Sequence, residues 1–319
     1  MARDRASEIA AVRSRAQWRN SQSVYEVDSL GRLWDEGRGP LGCAPDYAVI
    51  RLVTLVEVFM RHRSAELIDA GSPYLERAQA LISASGFKID FPLAAAISGK
   101  KISLGDLVAH TLPCNSFGDF VNCFTKLLDF DLIERIANIH DRVDVEIHGK
   151  PKIPIISDVK KMRSAMTRLF EARHILVHEL PDTSPIEDGD IELFIEMTKQ
   201  ILHATHEYLD HCLHGDYPLT QFDMNVAAAE RAAEAGEKLT LLLERIRQDG
   251  IDEYFERSQS AWEAYREAEA DFRTNWDAGG SIRPMLYAGF FEDLTRERVE
   301  TLESYLAGQF SLTGPDSPP

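Results

Sequence analysis

Six consecutive residues carry the groups that acid–base chemistry at a phosphate needs: Arg173-His174-Ile175-Leu176-Val177-His178. A histidine, with an unperturbed pKa of about 6.5, can take or give a proton at neutral pH. A planar guanidinium fits a phosphate and the negative charge that builds on it during attack. His174 precedes His178 by four residues, so the two share one helix face. The run is followed at once by Glu179, Leu180 and Pro181, and a proline marks a helix end.

The element that positions these groups is a helix capped by Ser157 or Asp158 and running to about Glu179. At about 100° per residue, Met162, Met166, Leu169, Arg173 and Leu176 fall within about 40° of one line. Arg173 therefore sits in the apolar stripe, where a guanidinium is costly unless it is paired. One solution is an ion pair with a buried acid such as Glu57, the histidines then merely complementing the helix dipole. The other is a cleft where the stripe meets a second subunit. Arg173 and His178 are about 140° apart on an ideal helix. They converge only if the helix loosens at its end or a second copy supplies one of them. The same helix carries Lys160, Lys161, Arg163 and Arg168 against Asp158 and Glu171, the strongest positive cluster in the chain.

Strand signals are sparse, and the periodicity predicts an all-α protein. Residues 1–45 read as an N-terminal helical extension, with a basic helix around Arg13, Arg15, Trp18 and Arg19 and a turn-rich stretch at Gly37, Gly39, Pro40 and Gly42. A long helix is predicted from about Asp46 to Ala70, with Val49, Leu52, Val53, Val56, Phe59 and Met60 among its apolar positions and Gly71 and Pro73 as its stop. Shorter helices are expected at 74–85, 103–111 and 116–138, and a loop or weak hairpin from Val143 to Ile156. An acidic turn (Asp182, Glu187, Asp188, Asp190) leads to a helix over about 191–213. These elements make one helical domain, 46–215. Residues 216–222 form a linker, 223–308 a second helical domain, and 309–319 a disordered tail.

A net charge of −17 argues against a general nucleic-acid binder, so any RNA site must be locally basic. Residues 1–220 carry 25 Lys and Arg against 32 Asp and Glu, and residues 221–319 carry 10 against 20. No apolar run approaches the roughly 20 residues of a membrane span. The first residues lack the apolar core of a secretory signal, which points to the cytoplasm. Cys43, Cys114, Cys123 and Cys212 form no C-x-x-C pair and read as buried free thiols. His203, His206, Glu207, Asp210, His211 and His214 share a face about 140° wide. The spacing is not H-E-x-x-H, and the reading is a solvated polar face rather than a metal site. No metal and no cofactor is assigned.

The spacing of Arg173 and His178, the polar His174 directly after the arginine, and the place of the run at the end of a long bundle helix resemble the Arg-(four to six residues)-His motif of HEPN domains. The resemblance covers about 46–215, and the helix from Arg51 to Asp69 is similar to the first helix of such domains. It implies a metal-independent ribonuclease acting as a homodimer, both motifs facing one cleft. His178 would activate the ribose 2′-hydroxyl or protonate the leaving oxygen, Arg173 would hold the scissile phosphate, and His174 would orient the phosphate or His178. The product would be a 2′,3′-cyclic phosphate. The long stretch between the first predicted helix and 116–138 departs from a minimal HEPN domain.

A second set of residues lies between 224 and 306: Met224-Asn225 with Ala228, Leu239, Ala261-Trp262-Glu263-Ala264-Tyr265-Arg266, Gly279-Gly280-Ser281, Pro284-Met285, and Leu294-Thr295 with Arg298 and Leu302. This set resembles the lysozyme-inhibitor LprI-type domain, a helical module of mostly secreted and lipoprotein settings. Members commonly have cysteines where this chain has Ala227, Ala270 and Phe290, so the resemblance implies a version without disulfides, suited to a reducing compartment. Its acidic residues Glu263, Glu267, Glu269 and Asp271 suit a basic protein partner or a plain solvated face. Together the two resemblances imply an RNA-cutting effector, a growth-arresting toxin or phage-defence protein, with a sensing or recruiting domain. The alternatives are a non-catalytic dimeric scaffold that binds proteins, and a HEPN relative that binds RNA without turnover.

Overall fold

Residues 5–16, 23–36, 44–85, 91–99, 102–179, 181, 183–187, 189–248 and 253–307 are described in the computed structural model, and among them every regular element is a helix and none a strand. The protein is all-α, as its periodicity predicts. Two units separate, Met1–Asp216 and Tyr217–Pro319.

The first unit contains α1 (Arg5–Ala16), α2 (Ser23–Glu36), α3 (Ala44–Asp69), α4 (Tyr74–Ser85), α5 (Phe91–Ser98), α6 (Leu104–Thr111), α7 (Phe117–Leu128), α8 (Leu132–Ile136), α9 (Val159–His178) and α10 (Asp190–His214). Its axis is α3, which packs against α2, α6, α7, α9 and α10. Leu52, Val56, Phe59 and Met60 of α3 are fully buried with Phe120 and Phe124 of α7, whose rings meet edge to face at 5.1 Å. Ser103 and Ser116 start α6 and α7 with capping boxes, and Asp158 starts α9 by accepting from the Lys161 amide at 2.9 Å.

Three sequence expectations change. The segment set apart as an extension contains α2, whose Val27 and Leu30 are buried in the main core. Trp34 donates to Glu192 at 3.2 Å, and Asp28 pairs with Lys199 at 2.7 Å. The apolar face of α2 thus makes it a member of the bundle. α1 takes in positions 13 and 15, whereas Trp18, Arg19, Gly37, Gly39, Pro40, Gly42, Cys43, Asp182, Asp188 and the tail 309–319 lie outside the described residues. The single helix expected over 116–138 is two. Asp129 turns left-handed with φ 65°, and Thr125 accepts from the Leu132 amide where α8 begins. Residues 143–156 hold a short π-helical turn, Val143–Ile147, and no hairpin, for Pro151 and Pro154 have no amide to give a ladder.

The described residues of the second unit form α11 (Gln221–Gln248), α12 (Glu253–Thr274) and α13 (Arg283–Leu306), with a short 3-10 turn at Asn275–Asp277. α11 and α12 each pack along α13. The core is thin: Leu239, Leu243, Ile246, Val299 and Leu302, with alanines at 228, 235 and 270. Gly279 turns with φ 90°, the backbone that favours glycine, and at Gly280 the Asp277 carboxylate occupies the space a side chain would take.

Candidate functional site

α9 stays regular to His178, and the Glu179 amide closes it by donating to the Ile175 carbonyl at 2.9 Å. Arg173 and His178 therefore diverge by about 140°, and one chain alone does not bring them together. His174 and His178 do come together: their rings lie 4.9 Å apart, tilted by 48°. Both are exposed in the last turns of the helix. Arg173 is half-buried on the inward line below Leu169. The pairing with Glu57 does not form, for that carboxylate binds Arg61 at 2.7 Å. Among the described residues Arg173 has no acidic partner.

The positive cluster on α9 is weaker than its composition implies. Arg168 is spent on Asp190, which takes two hydrogen bonds at 2.7 and 2.6 Å and also caps the approach to α10. Arg163 stands 4.0 Å from Asp131. Lys160 and Lys161 are exposed. On the ideal helix Lys160, Arg163, Thr167, His174 and His178 lie within about 30° of one line. Arg163 and Thr167 of that line also wall a groove of about 390 Å³ against Asn122 and Thr125 of α7.

The histidine-rich face of α10 is not the solvated face its polarity suggests. His203, His206, Glu207 and Asp210 are half-buried, and α3 brings Arg63 to Asp210. Arg63 donates to Asp210 and to Glu66, the latter at 2.8 Å. His62 lies 3.6 Å from Glu66, His206 3.5 Å from Asp210, and His203 3.3 Å from Asp141. Burial and the adjacent Arg63 charge push the His62 pKa down to about 4. Burial lowers His206 as well and raises Glu66. Only His211 and His214 are exposed. Among the described residues no three His, Cys, Asp or Glu side chains are grouped to hold a metal ion. Arg63 is the charged residue that sequence reasoning passed over, although it falls on the buried line of Val56, Phe59 and Met60. Burial pushes the Cys114 thiol up to about 12 and Cys123 up to about 11, which disfavours the reactive thiolate at both.

In the second unit Trp262 and Arg266 of the Trp–Tyr–Arg run work as scaffold, and Tyr265 is exposed. The Arg266 guanidinium lies 3.8 Å over the Phe291 ring and 4.8 Å over Trp262, and it donates to the Thr295 hydroxyl at 3.3 Å. Arg298 stands 5.7 Å over the same tryptophan and donates to Gln259. Asn225 donates to the Ser281 carbonyl at 3.2 Å, tying α11 to the glycine turn. Beside Arg266 runs an open groove of about 680 Å³ walled by α11 and α12.

Residues 215–302 match the family described as lysozyme inhibitor LprI, from the end of the first unit through most of α13. The C-terminal unit is an LprI-like helical domain, a kind of domain consistent with protein binding. No curated protein and no solved structure matches the chain. No described helix is long and apolar enough to cross a membrane.

Proposed function

We propose that the chain joins a metal-independent RNA-cleaving unit of the HEPN type to an LprI-like unit that binds a protein. It works as a cytoplasmic homodimer and serves as a toxin or phage-defence effector. The observation that carries the catalytic half is the contrast within α9: Arg173 is half-buried without an acid, and His178, five residues on, is exposed. A guanidinium so placed is completed by an anion or by a second chain.

In the dimer one His178 takes the proton of a ribose 2′-hydroxyl as its oxygen attacks phosphorus. The bond from phosphorus to the 5′ oxygen breaks, and the other His178 gives that oxygen a proton. The products are a 2′,3′-cyclic phosphate and a 5′-hydroxyl end. Arg173 holds the non-bridging oxygens as charge builds on them. His174, in ring contact with His178, orients it. The line through Thr167, Arg163 and Lys160 offers the strand a path away from the cut.

The test is cleavage of single-stranded RNA by the full chain in EDTA. His178→Ala and Arg173→Ala are each expected to lower the rate by about 100-fold or more. Unchanged rates in both variants, or an inert wild-type protein, overturn the catalytic reading. The second reading, a non-catalytic dimer that binds proteins, is favoured by the LprI match itself. An inert protein that still binds a basic partner through its second unit would establish it.

A further inference from the structure

The second unit has an uncovered trough, and we infer that it receives an amphipathic helix of a partner protein, with an apolar line of small residues flanked by Lys and Arg. This inference rests on the protein-binding reading of the LprI-like unit and names the surface that does the binding.

The trough exists because α13 is central. α11 and α12 both pack along it, and the side between them opens. Phe291 of α13 lies in its floor, with Leu239 and Leu243 beside it. Its α11 wall carries small residues at helical spacing, Ala232, Ala233, Gly236 and Thr240, with the exposed Leu241 beside them. From Ala232 to Leu243 the wall runs about 16 Å, three turns of helix. A side chain on Gly236 would meet nothing within 4 Å, so the glycine relieves no clash in this unit. A mid-helix glycine costs about 1 kcal/mol against alanine, and what it provides at this wall is room for another backbone.

Charge selects the occupant. Glu237 stands on the α11 wall and Glu263 on the α12 wall. Neither is in an ion pair among the described residues, and Glu263 only accepts a hydrogen bond from Gln259. Glu234, Glu244 and Glu267 are exposed one turn or two further along. The one cation in the lining, Arg266, is stacked on Phe291 and Trp262 beneath the rims. Basic side chains of an occupant therefore belong at the two rims and its apolar line at the centre. One turn past Leu243, Arg247 ties α11 to α12 by clamping Glu256 with two bonds at 2.8 and 3.1 Å.

The experiment uses the full chain and a labelled synthetic helical peptide of about five turns, with an Ala/Leu line flanked by lysines, followed by fluorescence anisotropy. A peptide of the same composition in scrambled order should bind about tenfold more weakly, and Gly236→Trp should weaken the ordered peptide by about tenfold. Glu237→Lys, a surface change that keeps the helix, should do the same. Equal binding of ordered and scrambled peptides, or full binding by both variants, overturns the trough. Lysozyme, a basic globular protein, is the second probe. Lysozyme binding that survives Gly236→Trp, with an ordered peptide that does not bind even the wild-type chain, sinks the trough alone. No binding of either probe sinks the protein-binding reading with it.

Discussion

Arg63 and Arg266 are both held between helices, one in each unit, and they are satisfied by different means. Arg63 is buried and ion-paired to Asp210 and Glu66. Arg266 is half-buried, has no carboxylate among the described residues, and lies instead between Phe291 and Trp262. The difference follows from depth. The first unit is thick enough to enclose a polar network, and there a lone cation would be prohibitive. The thin second unit leaves one edge of Arg266 near solvent, so stacking on aromatic faces suffices. Arg173 has neither solution, which is what sets it apart.

The strongest way to break this comparison is Asp210→Ala. It leaves Arg63 buried beside Glu66 alone and should cost the first unit about 3 kcal/mol, read as an earlier transition in urea. The transition of the second unit should stay in place. Arg63→Met with Asp210→Leu should recover part of the loss, because the buried guanidinium is gone and only Glu66 is left without its arginine partner. An unshifted first transition in Asp210→Ala would mean that the network carries no stability.

Acid sharpens the comparison further. The folded pKa of His62 lies below its unfolded value, so as pH falls the unfolded chain takes up the proton first. The contribution is complete above about 6.5 and drains toward about 4, costing on the order of 2 kcal/mol by pH 5. His206 acts in the same direction. Glu66, raised by burial, binds its proton earlier in the folded state and so returns some stability as pH falls through its raised value. All ten histidines lie in residues 62–214, none in the second unit. Thermal unfolding at pH 7 and pH 5 should therefore show the first transition falling and the second holding, and His62→Gln should flatten the first. A first transition that falls equally in His62→Gln would remove this histidine from the account.

Helical arithmetic made part of this visible in advance. It places Arg173 on an inward line and separates it from His178, and the structure keeps both relations. The same arithmetic places Arg63 on a buried line, but the residue carries no motif to draw notice. Periodicity tells which residues share a face and not which helix will cover it. That is why His203 and His206 read as solvated until Asp141 and Arg63 are seen beside them, and why α2 reads as an appendage until Val27 and Leu30 enter the core. The trough left no periodic signal either, because alanine and glycine mark a close approach only once the neighbouring helix is seen to be absent. The LprI resemblance was legible because its residues tie α11, α12 and α13 together at fixed points, as Asn225, Arg266 and Arg298 do.

Smaller effects separate the two ways of holding arginine. Arg266→Met keeps the stem that packs on Phe291 and Trp262 and removes only the cation. It should cost about 1 kcal/mol, seen in the second transition and well below the effect of Asp210→Ala. A cost as large as that of Asp210→Ala would show that the guanidinium is needed for more than stacking.

The smallest change carries the most pointed sign. Gly236 lies within α11 and an added methyl meets no atom of the second unit. Gly236→Ala should therefore stabilise that unit by about 0.5–1 kcal/mol, since alanine restricts the unfolded chain and favours the helix. The same methyl stands where a docked backbone would approach, so peptide affinity should fall while stability rises. Opposite signs from one methyl group cannot come from general damage to the fold. A stabilised variant that binds the lysine-flanked peptide as well as wild type would mean that the room beside Gly236 is not used by a partner helix.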